Sequence, residues 1–190
     1  MKTIFIIIIF IFIAAVLGYF LLTKTAMAPI TGPTLENKTA DIQVKSMDFS
    51  QISPEFLFLA EIPKKLEVEH TPQLKAINIY NPELAGEKNI DKSQIYITYF
   101  KADGFLTLNT VEITQQDKMI INGHDAILYE ITKKSEAPNF SGQPNWRNFK
   151  HKAIDIRLKI TNPSYFYSFA HDPTLSEKIF NDFINSLVFL

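Results

Sequence analysis

The chain has 190 residues, 19 of them lysine or arginine and 20 aspartate or glutamate, for a formal charge of -1. That balance argues against a nucleic-acid binder, whose basic face normally shows in the totals. No cysteine occurs, which excludes disulfides, thiolate metal sites, a thiol nucleophile and a cysteine-linked lipid anchor.

Hydrophobic residues make up 46% of the chain but are unevenly spread. Thr3 to Leu22 (TIFIIIIFIFIAAVLGYFLL) carries no charged side chain, a length that matches the roughly 30 Å hydrocarbon core of a bilayer. A cleaved signal peptide is the rival reading, with Ala26-Met27-Ala28 as its small-x-small site. That triplet lies beyond Lys24, and Pro29 would become the first mature residue, so an uncleaved transmembrane signal anchor over residues 1–23 is expected. Two residues before the span favour a domain on the extracytoplasmic side of the cell membrane. Residues 24–39, with Pro29, Gly32 and Pro33 and no apolar period, predict a flexible linker.

Residues 40–190 then predict one domain, and its dominant period is two. Ala153 to Ile160 alternates throughout. The pattern predicts a strand with Ile154, Ile156, Leu158 and Ile160 facing a core and Asp155, Arg157 and Lys159 facing water. Ile127, Tyr129 and Ile131 form a similar inward set, and Asn122-Gly123 predicts a tight hairpin before them. Further strands are expected at Phe56–Ile62, Leu66–His70, Ala76–Tyr80, Gln94–Phe100, Leu106–Thr114 and Tyr165–Phe169. Ser50–Phe56 reads equally as a short helix. At the C-terminal end the period changes: Leu175, Ile179, Phe183 and Leu187 share a helical stripe, widened by Phe180 and Ile184. Pro173 suits a first turn, and Thr174 with Glu177 matches a capping box. The class expected is α+β, an antiparallel sheet with a C-terminal packing helix, preceded by a transmembrane helix.

Three segments carry a family resemblance. Phe58-Leu59-Ala60-Glu61-Ile62-Pro63 resembles an early strand ending in proline, and Met119 to Ala126 (MIINGHDA) a hairpin turning through glycine. Ile179 to Phe189 (IFNDFINSLVF) resembles a closing helix that ends in Ser-x-x-Phe. Together they are similar to the PsbP-like family in its broad sense, which includes bacterial membrane-anchored members. The resemblance implies an α/β/α sandwich around a central antiparallel sheet and a role as an assembly or stabilising subunit, with no shared enzyme activity.

Chemistry-bearing motifs are sparse. The four histidines, His70, His124, His151 and His171, have no metal-ligand spacing. Glu67 and Glu69 share one strand face while His70 points the other way, which predicts a solvated face rather than a cation site. No nucleophile elbow, phosphate-binding loop or dinucleotide fingerprint occurs. Neither a cofactor nor an enzymatic activity is therefore expected. Ser135 to His151 (SEAPNFSGQPNWRNFKH) is a long aperiodic connection between two strands, of the kind that often carries function. It holds the single tryptophan, Trp146, beside Arg147, with Phe140 and Phe149 nearby. These four are the candidate binding residues, because aromatic and arginine side chains dominate binding hot spots. Trp146 folded back onto the core edge is the other reading. The function expected is thus a single-pass, membrane-anchored, extracytoplasmic and non-catalytic binding or assembly module. Its expected partners are the membrane, through the N-terminal helix, and an envelope protein; nucleic acid is not one. The alternatives are a small-ligand or metal-binding domain using the Trp146 loop or the histidines, and a hydrolase with an unrecognised site.

Overall fold

The computed structural model describes residues 42–101, 109–158 and 165–190. Their strands are β1 (Val44–Asp48), β2 (Phe58–Pro63), β3 (Glu67–Thr71), β4 (Ala76–Tyr80) and β5 (Ser93–Lys101). After them come β6 (Val111–Ile121), β7 (His124–Lys133), β8 (His151–Leu158), β9 (Tyr165–His171) and β10 (Val188–Phe189). The α-helix α1 (Glu177–Asn185) precedes β10. A seven-stranded sheet runs β3-β4-β5-β9-β8-β7-β6, and a three-stranded sheet runs β1-β2-β10. Every pairing in both is antiparallel.

Alternation in the central strands explains the main core. Ile77 and Ile79 of β4, Ile95 and Ile97 of β5, Ile154, Ile156 and Leu158 of β8, and Tyr167 and Phe169 of β9 join one buried cluster. Phe58, Ala60 and Ile62 of β2, with Phe180, Phe183 and Ile184 of α1, complete it. The small sheet and the helix therefore cover the same face of the large sheet. Phe58 is its aromatic centre, with ring centroids 4.7 Å from Phe49, 5.4 Å from Tyr167 and 5.5 Å from Phe169. The Tyr167 hydroxyl donates to the Glu55 carbonyl at 2.5 Å and accepts from the Leu57 N–H at 2.9 Å. One buried phenol thus satisfies two backbone groups just where the chain enters β2, and burial pushes its pKa up.

The β6–β7 hairpin turns at Asn122-Gly123, both with positive φ (48° and 81°). That is the backbone a two-residue turn of the right twist requires, and asparagine and glycine adopt it at least cost. The Asn122 side-chain amide donates to the Leu187 carbonyl, tying the turn to the end of the helix.

Several expectations are corrected. The α/β/α sandwich is replaced by a mainly β fold: α1 is the only α-helix among the described residues, and it lies on the face that it shares with the small sheet. The opposite face is covered by a loop. No helix among the described residues is long and apolar enough to cross a membrane. The nine residues of α1 span only about 14 Å at ~1.5 Å per residue. The expected anchor at 1–23 and linker at 24–39 lie outside the described residues. The helix begins at Glu177 after Ser176, with no side-chain cap. Thr174 is occupied elsewhere: its N–H and hydroxyl both donate to Asp172 Oδ1, at 2.7 Å each, in a turn before the helix. Ser50–Phe56 holds a single 3-10 turn, Phe49–Gln51. Finally, Asp155 does not face water; it is 4% exposed.

Candidate functional site

The second face of the large sheet explains that burial. Antiparallel register aligns Asp155 with Ser168, and Ser168 with Thr98, so a polar rung crosses β8, β9 and β5. The adjacent rung reads Tyr129, Ala153, Ala170, Tyr96 and Asn78 from β7 to β4. Two alanines at its centre leave a shallow trough. Tyr96 and Asn78 are fully buried there, and neither the Tyr96 hydroxyl nor the Asn78 amide has a hydrogen-bond partner.

A strap, residues 134–150, fills the trough. The Lys133 ammonium pins its start by donating to the Lys134 and Ala137 carbonyls at 3.0 and 2.6 Å. Asn148 fastens it internally, accepting from the Phe140 N–H at 3.1 Å and donating to the Asn145 carbonyl at 3.1 Å. Gly142, at φ 72°, passes so close over Leu74 that an added Cβ would lie 3.1 Å from its Cδ1. A 3-10 turn at Asn145–Asn148 then presents Trp146 and Arg147 to the sheet.

The four residues singled out in the sequence have different places. Trp146 folds back: its indole N–H donates to the Ser93 carbonyl at 3.0 Å, and its ring meets His151 edge-on at 5.4 Å. With Phe140 it packs on a second apolar cluster of Val111, Ile127, Tyr129, Ile131, Ala153 and Ala170. Phe149 is 60% exposed and apart from this cluster. Arg147 turns inward, with its guanidinium carbon 5.6 Å from the Tyr96 ring centroid. Its Nε–H is buried without an acceptor.

Phe140 and Arg147 line a cavity of about 190 Å³ together with Thr98, Gln143, Asp155 and Ser168. Phe100, Val111 and Ile131 contribute apolar wall. Gln143 Oε1 is buried and unpartnered too. Burial pushes the Asp155 carboxyl up to about 6, against the opposing pull of the Ser168 hydroxyl and the Arg147 charge. Burial likewise lowers the Arg147 pKa, opposed by Tyr96 and Asp155. No ion-pair contact joins Arg147 to Asp155 among the described residues, although each feels the other's charge. Tyr96 is raised to about 12 by burial. Thr98, Asp155 and Ser168 were not singled out as site residues in the sequence, because their polarity alternates with apolar neighbours as in any solvated strand; Gln143 lies in the strap between Gly142 and Pro144, where no pattern marks it.

The histidines do not converge on a site. His151 and His171 direct Nδ1 to the Phe149 and Asp172 carbonyls at 2.8 and 2.9 Å, so Nδ1 carries the proton in each. Burial lowers both, His151 to about 4. His70 packs edge-on against Phe56 and His124 against Phe189. Among the described residues no group of three or more histidine and carboxylate side chains could hold a metal.

No family model and no curated protein matches the chain. A crystal structure of a protein from Bacteroides thetaiotaomicron is similar at a TM-score of 0.41 with 14% identity, over 78% of this chain and 49% of that one. The chain thus spans about half the length of that protein. A likeness of this degree carries no argument for function.

Proposed function

We propose that the domain is a non-catalytic binding module that takes a small polar ligand in the cavity beneath the strap. The observation that supports this is Arg147. Its guanidinium lies over the Tyr96 ring, its Nε–H is buried and unmet, and it shares the cavity with an unmet acceptor on Gln143. Leaving such groups unsatisfied costs about 1–3 kcal/mol each, a cost that a ligand supplying the partners would remove. Apolar walls with a few convergent polar groups are the usual make-up of a small-molecule site. The non-catalytic part rests on the lining: among the described residues Asp155 is its one carboxyl, with no histidine beside it to form an acid–base or nucleophile–base pair.

The test is a broad metabolite screen on the full chain, read by thermal shift and Trp146 fluorescence, repeated with Arg147→Met. Compounds that shift both signals in the native chain and neither in the variant are expected. A screen in which nothing responds at millimolar concentration would refute the reading. A second reading, contact with an envelope protein, is supported by β6, an edge strand of the large sheet, along which Ile113, Met119 and Ile120 are exposed, Ile120 to 65%. Crosslinking of the full chain in intact cells should then capture one protein in wild type and not in Ile120→Lys; equal capture by both removes this reading.

A further inference from the structure

We infer that the ligand of the strap cavity is a free α-amino acid with an apolar side chain, held as its zwitterion between Arg147 and Asp155. This rests on the reading of the cavity as a ligand site and names the ligand's class.

Two polar groups of the cavity lack partners. Arg147 Nε–H needs an acceptor, and the Gln143 carbonyl oxygen needs a donor. A ligand with only acceptors leaves Gln143 unmet, and a ligand with only donors leaves Arg147 unmet, each at the cost of a buried polar group. The charges make the same demand. Among the described residues one guanidinium and one carboxylate line the space, with no ion-pair contact between them. A plain anion would bind Arg147 but sit against Asp155, and a plain amine would do the reverse. In a low-dielectric site either mismatch cancels part of the corresponding gain. A zwitterion answers both: its carboxylate accepts from Arg147, and its ammonium donates to Asp155 and to Gln143. Guanidinium–carboxylate pairing is also among the stronger and more directional of hydrogen-bonded contacts.

The rest of the cavity fixes the side chain. Phe100, Val111, Ile131 and Phe140 supply apolar wall, and of the remaining polar groups, Thr98, Thr110 and Ser168, the first and last lie in one rung on the sheet. A volume of about 190 Å³ corresponds to roughly six waters at ~30 Å³ each. That is room for a free amino acid of medium size. Tyr96 beneath the guanidinium holds Arg147 in place from below, so the arginine is oriented before the ligand arrives.

The experiment is calorimetric titration of the full chain with L-leucine, leucinamide, which lacks the carboxylate, and N-acetyl-leucine, which lacks the ammonium. L-leucine is expected to bind, and each derivative to bind at least tenfold more weakly. Asp155→Asn and Arg147→Met should each lose at least tenfold for L-leucine. The comparison of the three compounds on the unaltered chain stands even if a variant fails to fold. Binding of either derivative as tightly as L-leucine overturns the inference. So does a metabolite of another class that shifts Trp146 fluorescence while L-leucine, L-valine and L-methionine do not; the cavity would then remain a ligand site with a different occupant. Silence from every class would instead remove the site itself.

Discussion

Asp155→Asn isolates the electrostatics of the strap cavity. Two effects compete at Asp155: burial, which favours the neutral acid, and the Arg147 charge with the Ser168 hydroxyl, which favours the carboxylate. Burial wins, and the pKa rises from 3.8 to about 6. A carboxyl raised that far is worth about 3 kcal/mol through proton linkage. The sign follows from which state holds the proton. Below about pH 4 both folded and unfolded chains are protonated, and nothing is lost. Between about pH 4 and 6 the unfolded chain has released its proton while the folded chain retains it, so stability falls as pH rises, and the loss is complete above about pH 6. Asparagine keeps the shape but cannot ionise. The wild-type stability minus that of Asp155→Asn should therefore drop by about 3 kcal/mol on going from below pH 4 to above pH 6. Urea unfolding followed by Trp146 fluorescence at a series of pH values measures this difference, and the contributions of other titrating groups cancel in it. A difference that is flat, or that grows with pH, would refute the reasoning: Arg147 would then be holding Asp155 ionised.

Other outcomes can be checked by the same methods. His151, lowered to about 4 by burial, works in the opposite sense: the unfolded chain takes up the proton first, so its contribution is lost as pH falls from about 6.5 to 4, and His151→Gln should flatten stability over that window. Tyr167→Phe removes the acceptor of the Leu57 N–H and the donor to the Glu55 carbonyl, and should cost about 2 kcal/mol in chemical denaturation. Ala170→Leu places a large side chain in the trough where the strap packs, and should cost about 1–3 kcal/mol. A red shift of Trp146 emission would accompany that loss as the indole is lifted toward water.

The sequence was most legible where local pattern and tertiary role coincide. Ile154, Ile156 and Leu158 face the main core as their alternation requires, and Asn122-Gly123 makes the turn its φ preferences demand. It was least legible where burial is imposed from a distance. Asp155 has the same local pattern as a solvated strand residue; only the strap, anchored by Lys133, Asn148 and Trp146, removes it from water. Trp146 and Arg147 are neighbours in sequence, yet the 3-10 turn sends one into an apolar cluster and the other toward a carboxyl. β1 and β10 were missed for another reason. The first is mostly polar and the second is two residues long, and both are strands only because β2 offers each an edge. The helix start was misplaced because Asp172 captured Thr174, a competition between two side-chain hydrogen bonds that a spacing rule does not resolve.

The pairing of β10 with β2 bears on how the molecule is made. Val188 and Phe189 lie opposite Leu59 and Phe58, and the Leu190 N–H donates to the Leu57 carbonyl at 2.9 Å. A strand synthesised early thus waits for a partner synthesised about 130 residues later, a separation that slows closure. Until Phe189 has left the ribosome, one edge of β2 stays open and Phe58 lacks one of its ring neighbours, Phe189. The nascent chain therefore carries an uncapped hydrophobic strand until β10 has emerged, and that distant pairing, rather than the first collapse, seals this edge of the core.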